Sequence, residues 1–169
     1  MSRIAFRPVT TEEEIRRLCA MAETVWHETY DPLLPPGQVE YMLEKFQSPA
    51  AVRDQLERQH YRYQFILVEG EEAGFIGYAP RYEGKEEMYL SKVYLLSAFR
   101  GTGAVRAAFA LVEEETRREG LHCIRLTVNR GNDHAFQVYR HLGYAVEKDA
   151  VADIGGGYVM DDHIMVKTV

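Results

Sequence analysis

The chain contains 169 residues, 46% of them hydrophobic and 27% charged, so we expect a single globular domain over residues 1–169. The formal net charge of −6, from 26 acidic and 20 basic residues, argues against a nucleic-acid partner and slightly favours a cationic ligand. No apolar run approaches the ~20 residues of a membrane span, and the N-terminus lacks the apolar core of a signal peptide. We therefore expect a cytoplasmic protein without a membrane partner.

Hydrophobic spacing and turn residues predict a series of helices and strands along the chain. In order they are a strand at Ile4–Val9, a helix begun by Thr10–Thr11 with apolar positions from Ile15 to Trp26, a helical region at Val39–Gln47 and Pro49–Gln59, strands at Phe65–Glu69, Ala73–Tyr78 and Met88–Leu96, a helix at Ala104–Glu119, a strand at Leu121–Val128, a helix at Asp133–Leu142, and strands at Tyr144–Val146 and Tyr158–Val166. A tight turn at Gly70–Glu72 is expected to join the second and third strands. This order predicts an α/β (α+β) protein with a mixed sheet and helices on its faces.

A strand, turn and helix at residues 93–106 place two glycines, Gly101 and Gly103, where the helix begins. Backbone N–H groups of such a turn, together with the positive end of the helix, favour a phosphate group. Arg100 and Arg106 can add charge-assisted contacts. A plain glycine-containing surface turn explains the same residues. The segment is neither a Walker loop nor a complete dinucleotide fingerprint, because no Gly-Lys-Ser/Thr follows and the third glycine is missing.

Residues 132–144 form a second motif, Asn-Asp-His-Ala-Phe-Gln-Val-Tyr-Arg-His-Leu-Gly-Tyr. Asn132 suits the N-cap of a helix, and Gly143 suits its C-terminal stop. Tyr139 lies on the apolar face, where a tyrosine is commonly a core residue whose hydroxyl bonds to a neighbour. Taken alone, this motif predicts only a packed helix.

Together the two motifs resemble the GNAT N-acetyltransferase superfamily, whose pattern is Arg-x-x-Gly-x-[Gly/Ala] at a helix start and then Asn-x-x-Ala-x-x-x-Tyr-x-x-x-Gly-[Phe/Tyr]. The order of elements is similar over nearly the whole chain. The resemblance implies a mostly antiparallel sheet of six or seven strands, about four helices, and central strands that splay apart to hold acetyl-CoA. The second motif matches completely, whereas Val105 stands where the family has Gly or Ala and Arg106 where it has a small polar residue.

The resemblance also implies which residues hold the cofactor. Acetyl-CoA would lie between the Met88–Leu96 and Leu121–Val128 strands, with Asn132 beside its pantetheine arm and Tyr139 facing the thioester sulfur. Backbone groups along the arm would come from Val93, Tyr94 and Leu95. The pyrophosphate would bind a loop formed by Arg100, Gly101, Thr102, Gly103, Ala104, Val105 and Arg106.

Amide formation from a thioester needs a neutral amine, a polarised carbonyl and a protonated leaving thiolate. The Tyr139 phenol is protonated at neutral pH and suits the general acid, and a backbone N–H near Val93 could stabilise the oxyanion. The general base stays open, because Glu28 and Glu87 are equally explained as solvated surface acids. In the family, the end of the first helix and the loop after it line the acceptor side. The expected acceptor-side residues are Trp26, Glu28, Tyr30 and Glu87.

These observations predict an acetyl-CoA-dependent N-acetyltransferase that acts on the primary amine of a small cationic molecule. A peptide or protein N-terminus is the next acceptor class. The alternative is a non-catalytic module that binds or senses acyl-CoA, which Val105 favours and the retained Asn132 and Tyr139 oppose. A third possibility is a nucleotide-binding protein of another fold, which would prefer ATP or NAD to CoA.

The remaining features add little about function. The glycine-rich segment at residues 153–163 resembles the tail of bacterial polyamine-type acetyltransferases, and it is equally explained as an acidic hairpin. Cys19 and Cys123 lack metal-type spacing, so we expect buried, reduced thiols and no metal site. The expected assembly is a monomer or a homodimer.

Overall fold

The computed structural model describes residues 2–169. Its five α-helices are α1 (Glu12–Tyr30), α2 (Gln38–Phe46), α3 (Pro49–Arg58), α4 (Ala104–Arg118) and α5 (Asp133–His141). Its seven strands are β1 (Ile4–Pro8), β2 (Arg62–Val68), β3 (Glu71–Pro80), β4 (Met88–Leu95), β5 (Cys123–Asn129), β6 (Ala145–Gly155) and β7 (Tyr158–Thr168).

The strands form one sheet in the order β1-β2-β3-β4-β5-β7-β6. Every neighbouring pair is antiparallel except β4 and β5, which are parallel. One core joins the sheet to α4, and a second core joins its other face to α1, α2 and α3. The predicted mixed, mostly antiparallel sheet with helices on both faces is confirmed.

Five helices appear where about four were expected, because the helical region at residues 39–59 is two helices. Ser48 accepts a hydrogen bond from the Ala51 N–H at 3.2 Å, and Pro49 occupies the first turn of α3. A proline can begin a helix but cannot continue one without losing a backbone hydrogen bond. The break at Ser48-Pro49 therefore separates α2 from α3.

The start of α1 follows directly from its sequence. The Thr11 hydroxyl accepts from the Glu14 N–H, and the Glu14 carboxylate accepts from the Thr11 N–H, which together form a capping box. These hydrogen bonds, with others from Thr10, lower the pKa of Glu14 to about 2. The negative charge is thus held at the positive end of the helix.

Two strand boundaries differ from the sequence-based expectation. The β2–β3 turn consists of Glu69 and Gly70, with φ of 50° and 82°, rather than Gly70–Glu72. A two-residue hairpin of this hand needs positive φ at both central residues. The sixth strand extends to Gly155 instead of ending at Val146. Strand β6 is a mostly exposed edge strand, so its backbone pairing with β7 makes it a strand although its sequence shows little hydrophobic alternation.

The β6–β7 hairpin tip is held against α2. The Tyr41 hydroxyl donates to the Ile154 carbonyl at 2.7 Å, and the Gln38 amide donates to the Val159 carbonyl at 2.7 Å. A Cβ at Gly156 would lie 2.7 Å from the Tyr41 ring, so the glycines of this turn permit the close approach. The hairpin tip therefore packs in the same core as α1 and α2. No helix within residues 2–169 is long and apolar enough to cross a membrane.

Candidate functional site

The parting of β4 and β5 defines the candidate site. These strands are paired only at Met88 with Ile124 and at Tyr89 with Arg125, although β4 continues to Leu95 and β5 to Asn129. On its other side β4 stays paired with β3 as far as Leu95. The edge of β4 that carries Val93, Tyr94 and Leu95 therefore lacks a strand partner toward β5. An extended arm of amide groups could fill such a gap much as an added strand would.

The loop before α4 has the geometry of an anion site. Gly101 and Gly103 have φ of 77° and 85°, and a Cβ at either would meet no atom within 4 Å. From Gly101 to Arg106, no backbone N–H donates to another group in the part of the chain that the structure describes. The N-cap has no side-chain hydrogen bond either. Six free N–H groups at the positive end of a 15-residue helix fit a pyrophosphate.

The side chains of this loop divide into two groups. Arg100 and Arg106 are exposed, while Ala104 is buried and Val105 is half-buried against the core under α4. The Thr102 hydroxyl donates to the Phe99 carbonyl at 2.7 Å and so points away from the turn's free N–H groups back to the preceding turn of chain. The predicted loop residues are therefore together, with two arginines available to the phosphate side.

Tyr139 of α5 packs against the core under α4, close enough to Tyr30 and Tyr94 across the sheet for their phenols to affect one another's pKa. Its ring packs on Phe109 of α4 with centroids 5.4 Å apart. Burial, and then the Tyr30 phenol from the opposite side of the sheet, raise the pKa of Tyr139 well above that of an ordinary phenol. No group within residues 2–169 forms a hydrogen bond with its hydroxyl. Tyr139 is therefore a neutral donor with a free O–H.

A cluster of aromatic side chains lies beside this hydroxyl on the α1 face. The Tyr30 and Tyr94 hydroxyl groups are 2.8 Å apart, and the Trp26 ring lies 5.8 Å from that of Tyr94, centroid to centroid. Burial raises the pKa of Tyr30 to about 12. Burial also does most to raise the pKa of Tyr94, with contributions from Tyr30 and Tyr139. Trp26 and Tyr30, which were predicted on the acceptor side, therefore lie against Tyr94, which was predicted on the cofactor side.

The other predicted residues are placed differently. Asn132 is the N-cap of α5, where its side-chain oxygen accepts from the Ala135 N–H at 3.3 Å. Glu28 is exposed on α1. Glu87 lies just before β4 and accepts from the Arg125 guanidinium at 3.2 Å through both carboxylate oxygens. Glu87 is therefore engaged in an ion pair at the end where β4 and β5 are still joined.

A pocket of about 170 Å³ opens at this joined end on the α1 face. Its lining includes Glu87, Tyr89, Arg125 and Thr127. A larger depression near Tyr61, Arg81 and Glu119 lies away from the parting and from Tyr139.

Two buried charged residues were not predicted as part of the site. Asp162 on β7 and Lys92 on β4 are 9% and 8% exposed. Both are charged residues at inward-facing positions of apolar strands, and this break in the alternation is the signal that could have identified them. Burial, and then the neighbouring Asp161 charge, raise the pKa of Asp162 to about 6, whereas burial lowers the pKa of Lys92 to about 7.

Comparisons with known proteins match the chain to a family model, to curated relatives and to solved structures. Residues 21–144 match the family model described as the acetyltransferase (GNAT) family. The chain is 30% identical over 88 residues to the uncharacterized N-acetyltransferase YdgE of Bacillus subtilis (strain 168). That match spans 52% of this chain and 56% of YdgE, so it spans little more than half the length of that relative.

Solved structures share the fold over nearly the full chain. The PaiA N-acetyltransferase of Thermoplasma acidophilum, solved in complex with coenzyme A, is 20% identical, with a TM-score of 0.79 and 99% coverage of both chains. The spermidine N-acetyltransferase SpeG of Vibrio cholerae is 13% identical, with a TM-score of 0.66 and coverage of 98% of this chain and 93% of SpeG. At these identities the likeness establishes the fold.

Proposed function

Because the chain belongs to the GNAT acetyltransferase family, we propose that it transfers an acetyl group from acetyl-CoA to the primary amine of a small cationic molecule. The observation that carries this proposal is one juxtaposition. The uncapped N-terminus of α4 and the unpaired edge of β4 meet at the parting that the free hydroxyl of Tyr139 enters. An anion site, an amide-lined gap and a proton donor are what CoA binding and thiolate departure require.

In this proposal, different groups of the chain bind different parts of the cofactor. The six N–H groups from Gly101 to Arg106 hold the pyrophosphate, with Arg100 and Arg106 as charge partners. The backbone at Val93 and Leu95 holds the pantetheine arm, and Asn132 lies at the C-terminal side of β5 beside it. Val105 contributes its N–H while its side chain packs on the core.

Tyr139 acts on the leaving group. Bound acetyl-CoA supplies a thioester, whose C–S bond breaks as the amine nitrogen forms the new C–N bond. The phenol of Tyr139 is a weaker acid than a thiol of pKa ~8.5, so it stabilises the departing sulfur mainly as a hydrogen-bond donor. Of the two protons that the ammonium loses, one ends on the CoA sulfur and the other passes to solvent.

The acceptor enters from the α1 face, between the end of α1 and the β6–β7 hairpin. Trp26, Tyr30 and Tyr94 form an aromatic wall there, which suits the apolar part of an amine and its charge. The net charge of −6 supports a cationic acceptor, because a negative protein concentrates cations near its surface. We extend the proposal to a cytoplasmic location, which the two free cysteines support.

Thiol release from acetyl-CoA tests the proposal. The purified protein is incubated with acetyl-CoA and, separately, with spermidine, a monoamine, an aminoglycoside, free amino acids and a short peptide with a free N-terminus. We expect CoA release with at least one small cationic amine and weaker release with the peptide. Binding of CoA without turnover on any amine would instead identify a sensing module.

A further inference from the structure

Asp162 is a buried carboxylate without a partner. The residue is 9% exposed, its Oδ1 is fully buried, and no donor within residues 2–169 forms a hydrogen bond with either oxygen. Its neighbour Asp161 is half-exposed and lies 3.7 Å from the Arg130 guanidinium. A carboxylate withdrawn from water is unfavourable unless a cation or hydrogen-bond donors compensate it. The described part of the chain supplies neither to Asp162.

The strand register shows which way Asp162 faces. It pairs with Asn129 of β5, three residues beyond Leu126, whose side chain lies in the core under α4. Side chains alternate along a strand, and paired residues share a face, so Asp162 points to the opposite face, toward α1. The register places Asn129 four residues beyond Arg125, where β5 has already parted from β4.

Electrostatic effects locate the carboxylate among the aromatic residues of the acceptor side. After burial and the Tyr94 hydrogen bond, the Asp162 charge is the next influence on Tyr30, whose pKa it raises. The same charge contributes to the raised pKa of Tyr89, which lines the pocket at the start of the parting. Asp162 therefore faces the space between the end of α1 and the parted strands.

We propose that Asp162 receives the ammonium group of the acceptor amine and takes one of its protons. This inference rests on the proposed acetyl transfer and names the acceptor-side residue that the sequence left open. The carboxylate gains the missing cation, and the substrate is held where its nitrogen can reach the parting. The proton balance is simple: the ammonium N–H bond breaks, Asp162 becomes the neutral acid, and the neutral amine keeps its lone pair for the new C–N bond.

The surroundings of Asp162 suit this exchange. Burial and Asp161 raise its pKa toward neutrality, while His163 opposes them. The other titratable groups that face it are the neutral phenols Tyr30 of α1 and Tyr89 of β4, and Lys148 of β6, which pairs with Ile164, shares its face two residues farther along. A carboxyl group of raised pKa holds a proton longer than an exposed aspartate does, and its proton can then pass to solvent.

The test compares Asp162→Asn with the matched control Asp161→Asn. Thiol release is measured with spermidine, and with ethylamine and its weakly basic analogue trifluoroethylamine, from pH 6 to pH 10. For spermidine and ethylamine, we expect Asp162→Asn to lower kcat/KM about 10²-fold at neutral pH, with the deficit shrinking as the pH approaches the pKa of the amine. Turnover of trifluoroethylamine, which is neutral at pH 7, should fall much less. Asp161→Asn keeps the Asp162 carboxyl, so its turnover at neutral pH should stay close to that of the wild type, with the pH profile moved to lower pH because the Asp161 charge no longer raises the pKa of Asp162.

Two readouts keep the inference separate from the proposed function. CoA affinity should be equal in both variants, which shows that each one is folded. In the CoA-bound wild type, carbon-13 NMR of the Asp162 carboxyl, assigned with Asp162→Asn, should show its pKa falling when spermidine or ethylamine is added. Two outcomes would overturn the role of Asp162. One is an Asp162→Asn variant whose kcat/KM follows the wild type across the pH range, and the other is a carboxyl pKa that neither amine changes. A carboxyl that responds in a protein without turnover would overturn the acetyl transfer and leave the ammonium site standing.

Discussion

Tyr139 has a free hydroxyl. Its neighbour Tyr144 also lacks a hydrogen-bond partner, but the Tyr144 hydroxyl is fully buried. Tyr63 donates to Gln55, and Tyr78 donates to Glu115, so each is explained as a core residue with a satisfied hydroxyl. Tyr139 packs its ring on Phe109 but leaves its O–H unpaired beside the parting. A hydroxyl without a structural partner is available to a ligand.

Replacing Tyr139 with phenylalanine should therefore affect catalysis much more than stability. The ring packing on Phe109 is kept, and no protein hydrogen bond is lost, so we expect the unfolding free energy to change by less than about 1 kcal/mol. If thiolate departure limits the rate, loss of this hydrogen-bond donor should lower kcat by about 10²–10³-fold with an unchanged Kd for CoA. Steady-state kinetics and CoA titration measure these quantities. A normal kcat with a lowered Tm would show that Tyr139 is a packing residue.

Lys92 should destabilise the protein at neutral pH. Its ammonium donates to the Ser91 hydroxyl at 2.7 Å and lies 5.3 Å from the Tyr61 ring centroid, but no acid pairs with it within residues 2–169. Burial lowers its pKa to about 7, whereas an unfolded lysine has a pKa of ~10.4. Between these values the unfolded chain binds more protons, so stability should rise with pH across this window.

Lys92→Met removes that cost. Below pH 7 the variant should unfold at a higher Tm than the wild type, with an unfolding free energy larger by about 2–4 kcal/mol. This difference in stability should vanish toward about pH 10. Lys85, which lies on an exposed turn, offers the control Lys85→Met, whose Tm should follow the wild type. A gain that does not depend on pH would point to packing rather than to the buried charge.

The conformation of the backbone, more than any side chain, shapes the proposed anion site at the N-terminus of α4. Gly103 has φ of 85°, a conformation that costs an L-residue roughly 1–2 kcal/mol, and the N–H groups beyond it are the proposed phosphate ligands. Gly120, at the other end of the same helix, has φ of 73°. A Cβ at either glycine meets no atom within 4 Å. The two positions thus share the same strain and differ in their distance from the loop.

Gly103→Ala should weaken CoA binding, and Gly120→Ala should not. Either alanine is strained at positive φ, so both variants should show a similar fall in Tm. Only at Gly103 would a backbone change that relieves this strain also turn the N–H groups away from the phosphates. We expect about a tenfold rise in Kd for CoA, measured by calorimetry. Equal CoA affinity in the two variants would contradict the assignment of this loop. Because Val105 packs on the core, its branched side chain is compatible with that assignment.

The sheet has few residue pairs between β4 and β5, where it would bind the cofactor. Two residue pairs join β4 to β5, whereas seven pairs join β5 to β7. A ligand that bridges the two halves binds only the folded chain, and at 100 times its Kd it adds about 2.7 kcal/mol of stability.

We therefore expect CoA to raise Tm and to slow hydrogen exchange at the parting. Protection should appear at Val93 and Leu95 and in the Gly101–Arg106 loop, while the β2–β3 hairpin should be unaffected. ATP and NAD serve as controls, because they carry phosphates without the pantetheine arm. An absence of any Tm shift at millimolar CoA would exclude the cofactor site proposed here.

Much of this architecture could be predicted from sequence because its signals are local. The capping threonine of α1, the proline that begins α3, and the glycines at the ends of α4 act within a few residues. The complete motif at residues 132–144, joined to the glycine loop, was sufficient to predict the family that the match over residues 21–144 confirms. Edge strand β6 was underestimated, because its pairing with β7 rather than its own pattern makes it a strand.

The acceptor side could not be predicted in the same way. Glu87 looked like a candidate base, yet its carboxylate pairs with Arg125, 38 residues away, and Asp162 looked like one acid of a surface hairpin. Whether a carboxylate is paired, buried or free depends on groups that the fold brings from distant parts of the chain. The local spacing of residues therefore predicted the family, which the family match confirms, and the loop that we propose for the cofactor. The tertiary structure decided which charged groups were left without a partner, because desolvation and ion pairing arise only when the sheet and its helices have assembled.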